Sequence, residues 1–179
     1  MFNENIRSIQ LKINQDLKDI YVSGPKSLVD TFNYVISGKG KRVRPLLTIL
    51  TSESLFEDFK KSYNAALAIE ILHNFTLVHD DIMDNDSIRH GKETVHKKWN
   101  DSTAILTGDL MLAKSFKILS DSNYNNKVME SFNSALLAVC EGQALDKEFE
   151  TSESISENDY FKMIEKKTSN LIAMPIKIG

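Results

Sequence analysis

Residues 65–84 read AALAIEILHNFTLVHDDIMD, and the fold turns on how that run is built. It holds no proline and no glycine, and apolar side chains fall on most faces of a helix drawn through it. Such a helix is buried nearly all round. At helical spacing Asp80 and Asp84 share a face about one turn apart, His73 lies two turns up the same side, and Asp81 stands about 100° round. The chain continues NDSIRHG, so His73 to Gly91 carries four aspartates and three histidines in nineteen residues.

Outward from this helix the pattern stays helical. Three prolines, seven glycines and almost no period-2 alternation among 179 residues give an all-α class. The spacing predicts helices over 3–20, 25–37, 44–57, 60–84, 101–120, 124–149 and 156–173. Ile6, Ile9, Ile13, Leu17 and Ile20 form one stripe. Gly24-Pro25 separates the first pair, and SGKGKR (Ser37–Arg42) precedes Pro45, which suits a first helical turn. Ser154, Ser156, Asn158 and Asp159 supply capping groups for the last helix. With no internal repeat, linker or boundary, residues 1–179 read as a single domain, long enough to bury roughly 70% of its unfolded surface.

Composition narrows the partners. Hydrophobic content of 41% and charged content of 26% describe a globular chain. A net charge of −3, from 22 basic and 25 acidic residues, gives no reason to expect nucleic acid. No run of eighteen apolar residues occurs, so no membrane span is expected. The first twenty residues mix acidic with apolar groups and look like neither a signal nor a transit peptide. A single cysteine, Cys140, makes no disulfide framework, and a cytoplasmic location is expected.

Two carboxylates one turn apart repel each other, and a divalent cation would offset that cost. Hard oxygen donors without thiolates favour Mg²⁺, which keeps room for phosphate oxygens. The other reading of Asp80, Asp81 and Asp84 is a solvated acidic helix end. Upstream, Lys39, Lys41, Arg42 and Arg44 crowd a glycine-rich loop with no acidic neighbour in sequence. That loop either wraps an anion or is solvated surface, and it lacks the nucleotide P-loop pattern. Arg89, with its rigid fork of donors, and Lys92 form either a phosphate clamp or surface ion pairs with Asp86. His79-Asp80, with His73, His90 and His96 nearby, also fits an HD-type metal phosphohydrolase, which would leave the basic loop and Glu141–Asp146 unexplained. An EF-hand fails, because Ile88 and Arg89 fall where an oxygen ligand and a glycine are needed. Among lesser positions, His79 is expected to hydrogen-bond structurally and Cys140 to be a small buried hydrophobe. Trp99 should pack at a helix junction, and Met83, Met111 and Met163 should fill core. Gly108-Asp109 should mark a tight helix contact.

In chain order, Gly40–Pro45 (GKRVRP), His73, HDDIMDND (79–86), Arg89, GKETVH (91–96), ILTGDLML (105–112), EGQALD (141–146) and Lys167-Thr168 resemble the trans-polyprenyl diphosphate synthases. The likeness runs over essentially the whole chain. It implies an isoprenoid-synthase-type helical bundle around a central cavity and an Mg²⁺-dependent prenyltransferase joining an allylic diphosphate to isopentenyl diphosphate. By that resemblance Asp80 and Asp84 ligate Mg²⁺ on the allylic diphosphate, Asp81 supports them, and Arg89 holds the same diphosphate. Lys41, Arg44, His73 and, more weakly, His90 bind isopentenyl diphosphate. Gln143 and Asp146 line the cleft, and Lys167 and Thr168 assist the leaving diphosphate. Ionisation gives an allylic cation that the double bond of isopentenyl diphosphate attacks, so a dry apolar cavity is needed. The basic loop argues against a terpene cyclase, which handles one diphosphate.

Two departures qualify the likeness. Many relatives have paired arginines where this chain has Arg89-His90. Their second aspartate-rich motif does not occur within these 179 residues, so the bundle is expected to be incomplete at its C-terminus and the chain inactive alone. A non-catalytic partner subunit of a heteromeric synthase is the alternative to a homodimeric enzyme. Phe75 resembles the bulky residue that limits relatives to C15 or C20 products, and DIMDND and TVHKKW look closest to geranylgeranyl-forming ones. On an ideal helix Phe75 falls about 140° from Asp80 and Thr76 about 40°, so Thr76 shares the product-length role, or Phe75 is a core aromatic.

Overall fold

The structure, a computed structural model, describes residues 2–38, 40–56 and 59–179. The apolar stripe of the first helix, α1 (Phe2–Asp19), buries Ile9, Ile13 and Leu17, and α2 (Lys26–Ile36) starts at Pro25. Next come α3 (Val43–Phe56), with Pro45 in its first turn, and α4 (Lys60–Met83). A two-stranded antiparallel hairpin follows, β1 (Ile88–Arg89) and β2 (Lys92–Glu93). Then α5 (Val95–Lys98), α6 (Asp101–Asp121), α7 (Asn126–Phe149) and α8 (Glu157–Ile164) run on to a π-helical turn (Glu165–Ser169) and α9 (Asn170–Ile178).

α4 is the axis. Alanines at 65, 66 and 68 and Ile69, Ile71 and Leu72 have no exposed surface, so neighbours approach from every side. α6 packs along most of its length, α3 covers another flank, and α9 lies along α7 and α3. Small residues allow the α4–α6 contact: Ala104 and Thr107 are fully buried, and a Cβ on Gly108 would overlap the His79 imidazole. Gly108 thus marks the tight contact expected of it. Thr107 is also within 2.7 Å of Thr31 on α2. Asn100 and Asn125 cap α6 and α7 through the amides of Thr103 and Val128. Ser156 caps α8 by accepting from the Asp159 amide and also donates to that side chain at 2.6 Å.

Three elements depart from the sequence reading. The hairpin is too short to show strand alternation, and its turn residues His90 (φ 52°) and Gly91 (φ 77°) have the two left-handed conformations of a type I′ turn. α5, of four residues, falls between the helices that the spacing predicts over 60–84 and 101–120. The last helix continues through Pro175 to Ile178 instead of ending at 173. Burial of Leu171, Met174 and Pro175 outweighs the backbone bond that proline forfeits. Among the described residues no helix is long and apolar enough to cross a membrane.

Candidate active site

The basic loop is anchored from within. Arg42 adopts φ 52°, and its buried guanidinium donates to Glu70 Oε1 at 2.7 Å, Asn14 Oδ1 at 2.8 Å and the Ile36 carbonyl at 2.6 Å. Glu70 comes from α4, so one cation of the loop is neutralised in the core by a carboxylate far away in sequence. Burial raises the Glu70 pKa, and the Arg42 guanidinium opposes that rise. With Arg42 pinned, Lys41 and Arg44 line a pocket of about 310 Å³ together with His73, Asn74 and Leu77 of α4 and His90 of the hairpin. Lys39 lies outside the described residues.

His73 is kept neutral. Burial first, then the positive charges of Arg44, Arg89, His90 and Arg42, press its pKa down to about 3. Its Nδ1 and the Nε of Arg44 are buried and have no hydrogen-bond partner among the described residues. Unpaired buried polar atoms beside a cationic pocket are suited to a ligand with several acceptor oxygens.

Past this pocket α4 ends in the three aspartates. Asp81 is buried and accepts from Arg89 Nε at 2.5 Å, while Arg89 Nη2 reaches Asp86 at 3.4 Å. Asp84 accepts from Lys147 Nζ of α7 at 3.2 Å. Asp80 accepts no hydrogen bond from the described residues. Burial raises its pKa to about 6; Lys167 pulls it down, Asp84 pushes it up, Arg89 lowers it and Asp81 raises it. Burial also raises the Asp81 pKa, against the pull of Arg89. Arg89, Asp81, His90 and Lys92 border a second cavity, of about 60 Å³, that shares Asn74, Leu77 and His90 with the first.

α7 and the π-helical turn form the facing wall. Gln143 is 6% exposed, and neither its Nε2 nor its Oε1 has a partner among the described residues. Lys167 pairs with Asp146, and Lys166 with Glu141. Gly142 makes this wall possible, because a Cβ there would run into the backbone of Lys166 and Lys167. Its part was not foreseen, although a glycine inside a helical pattern is a known signal of close approach. Thr168 sits exposed in the same turn.

The structure therefore brings Lys41, Arg44, His73 and His90 to one pocket and Asp81 and Arg89 to the adjoining cavity, while Asp80 and Asp84 stand one turn apart at the end of α4 and line neither. Gln143, Asp146 and Lys167 stand on the facing wall. Phe75 and Thr76 are both buried, and Phe75 stacks edge-on against His79 with centroids 4.7 Å apart. His79 also contacts the Ile105 carbonyl at 3.3 Å, in keeping with a structural role. Trp99 packs edge-on against Tyr34 of α2, 5.1 Å between centroids. Met111 and Met163 fill core, but Met83, the last residue of α4, is 45% exposed because the apolar packing has already ended there. Cys140 is exposed rather than buried, and it is close enough to Asp80 and Glu141 that both help burial to raise its thiol pKa.

Among the described residues no three His, Cys, Asp or Glu side chains stand together as a metal site, since Asp81 and Asp84 are engaged by cations. The donor set nevertheless fits Mg²⁺. The Asp80 carboxylate offers hard oxygens with no hydrogen bond among the described residues, beside Asp84 and Asp81, which raise its proton affinity, and Mg²⁺ commonly takes one or two carboxylates with the rest from phosphate and water.

A helical bundle whose central helix carries these carboxylates beside a cationic pocket has the isoprenoid-synthase fold, and solved structures share it closely. The geranylgeranyl pyrophosphate synthetase of the archaeon Geoglobus acetivorans superposes with a TM-score of 0.92 at 38% identity, over 97% of this chain and 58% of its own. The heptaprenyl diphosphate synthase of Staphylococcus aureus gives 0.91 at 31%, over 97% and 55%. The chain belongs to the polyprenyl synthetase family, whose profile matches residues 25–179. The geranylgeranyl diphosphate synthase of Methanosarcina mazei is 43% identical over 162 residues, 88% of this chain and 50% of that protein. The short chain isoprenyl diphosphate synthase of Methanocaldococcus jannaschii is 41% identical over 182 residues, 100% and 54%. The chain spans about half the length of the curated relatives it matches.

Proposed function

We propose that this chain carries the substrate-binding half of a prenyltransferase that condenses an allylic diphosphate with isopentenyl diphosphate. The observation that carries the reading is the pairing of two neighbouring anion sites of different character. One is the pocket of Lys41, Arg44, His73 and His90, where Glu70, the acidic residue of the lining, is held by Arg42. The other is the end of α4 at Asp80, Asp81 and Asp84 with Arg89 beside it, where carboxylates invite a metal-bound diphosphate. Asp80 and Asp84 would hold Mg²⁺, which when bound offsets the charge of a departing diphosphate.

The chain's own groups divide the remaining work. Arg89 and Lys167 present fixed cations to the allylic diphosphate, with Asp81 and Asp146 orienting them. Lys41 and Arg44 bind isopentenyl diphosphate by charge, and His73, held neutral, contributes a hydrogen bond without adding to the cationic crowding. Thr168 and Gln143 supply uncharged polar contacts where a carbocation would form. Phe75 and Thr76, buried on α4 upstream of Asp80, would close the space available to a growing chain, which favours a short product of the C15–C20 class. Relatives named as geranylgeranyl diphosphate synthases at 39–43% identity support that length.

The test is binding of each substrate separately. Asp80→Ala and Asp84→Ala should weaken Mg²⁺-dependent binding of a non-hydrolysable allylic diphosphate by at least about ten-fold, the scale of losing a charge-assisted contact. Lys41→Ala with Arg44→Ala should cut isopentenyl diphosphate binding instead. Unchanged affinity in the aspartate variants removes the metal assignment, and a selective allylic loss in the basic-loop variant reverses the two sites.

A further inference from the structure

Lys147 occupies an unusual position for a side chain of α7. Its ammonium donates to Asp84 Oδ1 at 3.2 Å, to the Met83 carbonyl at 3.1 Å and to Glu150 Oε1 at 2.6 Å. An ammonium has three donors, and here all three are used. Two of the acceptors belong to the C-terminal end of α4, where the helix dipole itself favours a cation. The carboxylates of the aspartate cluster are therefore treated unequally. Among the described residues the Asp80 carboxylate has no hydrogen bond, whereas Asp84, one turn on, has an organic cation in a nest of three oxygens.

We propose that Lys147 is a built-in counter-cation of Asp84, which it holds until a divalent ion with its diphosphate displaces it, so that Lys147 sets the threshold of metal loading. The proposal rests on the reading of Asp84 as a metal ligand. A divalent ion and the Lys147 ammonium cannot both sit against one carboxylate without strong repulsion, so one must leave. Glu150 supplies the place to go: it lies three residues along the same helix and already holds Lys147 at the shorter distance. The displaced ammonium stays at the mouth of the cleft, where it adds a positive charge near the diphosphate that evicted it. No bond forms or breaks in this step; one electrostatic partner of Asp84 replaces another. The same arrangement accounts for the lack of a ready-made ligand group, because Asp84 is not offered to a metal until Lys147 withdraws.

Competition and mere strutting of α7 against α4 predict opposite signs. The experiment titrates Mn²⁺, followed by electron paramagnetic resonance, into the intact protein saturated with a non-hydrolysable allylic diphosphate. Lys147→Met should tighten Mn²⁺ by roughly five-fold, the factor an ion pair of this partial exposure is worth. Glu150→Gln removes the retreat and should weaken Mn²⁺ by a few-fold. A tightening cannot come from a damaged fold. Mn²⁺ affinity that is unchanged or weaker in Lys147→Met overturns the proposal and makes Lys147 a strut, while weaker binding in Asp84→Ala still upholds the metal site. Mn²⁺ binding indifferent to both Asp80→Ala and Asp84→Ala overturns the proposal together with the reading beneath it.

Discussion

His73 shows how a single environment converts a residue type into a function. A histidine in water carries a proton part of the time near neutrality, but here burial and four surrounding cations leave it uncharged. A pKa depressed to about 3 from an unfolded value near 6.5 means that the unfolded chain binds the proton between those limits. The stability is therefore complete above pH 6.5 and is lost as the pH falls toward 3. Asp80 acts in the opposite sense, since a pKa raised to about 6 gives stability at low pH that disappears as the pH rises through 6. Comparing wild type with His73→Asn isolates the first effect. Denaturant unfolding at pH 5 should show the variant gaining about 2 kcal/mol on wild type relative to pH 7.5. At this scale the residue types at the site were readable, because acid pairs and basic loops are chemical signals in themselves. Charge and spacing alone do not separate Arg42 from Lys41 and Arg44; the family resemblance sets it apart without giving it a partner. Only the fold reveals that Glu70 claims it, and the outward turn of Cys140 on α7 has no local signal at all.

Among the elements, the wall facing the aspartates depends on one missing methyl. The π-helical turn holds the backbone of Lys166 and Lys167 against Gly142 so closely that any side chain there must push it away. Gly142→Ala should cost about 1–3 kcal/mol by overpacking, despite alanine's better helix propensity, and should loosen diphosphate binding through Lys167. Paired urea unfolding and binding measurements would reveal both, and a stabilised variant would show that the turn yields freely. The long helices were legible because their apolar periodicity extends over many turns. The hairpin and α5 were not, since elements of two and four residues carry no period to read. The π-helical turn likewise looks like ordinary helix in sequence, and the glycine it packs against lies more than twenty residues upstream.

In the molecule as a whole, the buried Arg42–Glu70 pair joins α1, the end of α2, the basic loop and α4 at one point. Removing one partner strands the other charge in the core, so Glu70→Gln should destabilise the protein by about 3–5 kcal/mol in urea titrations. It should also loosen the pocket of Lys41, Arg44 and His73, whose loop would lose its anchor. α4 itself has a different consequence. Because α6 and α3 pack along most of its length, it has little freedom to shift when substrates arrive, and the accommodating motion falls to residues 40–42, the hairpin and α7. Amide hydrogen exchange would separate the two populations. The central amides of α4 should exchange only when the entire molecule opens, at a rate diphosphates alter solely through global stability, whereas amides at 40–44 and 85–94 should slow through local closure. The helix that carries the three aspartates is thus the slowest clock in the protein, and any binding is timed by the segments around it.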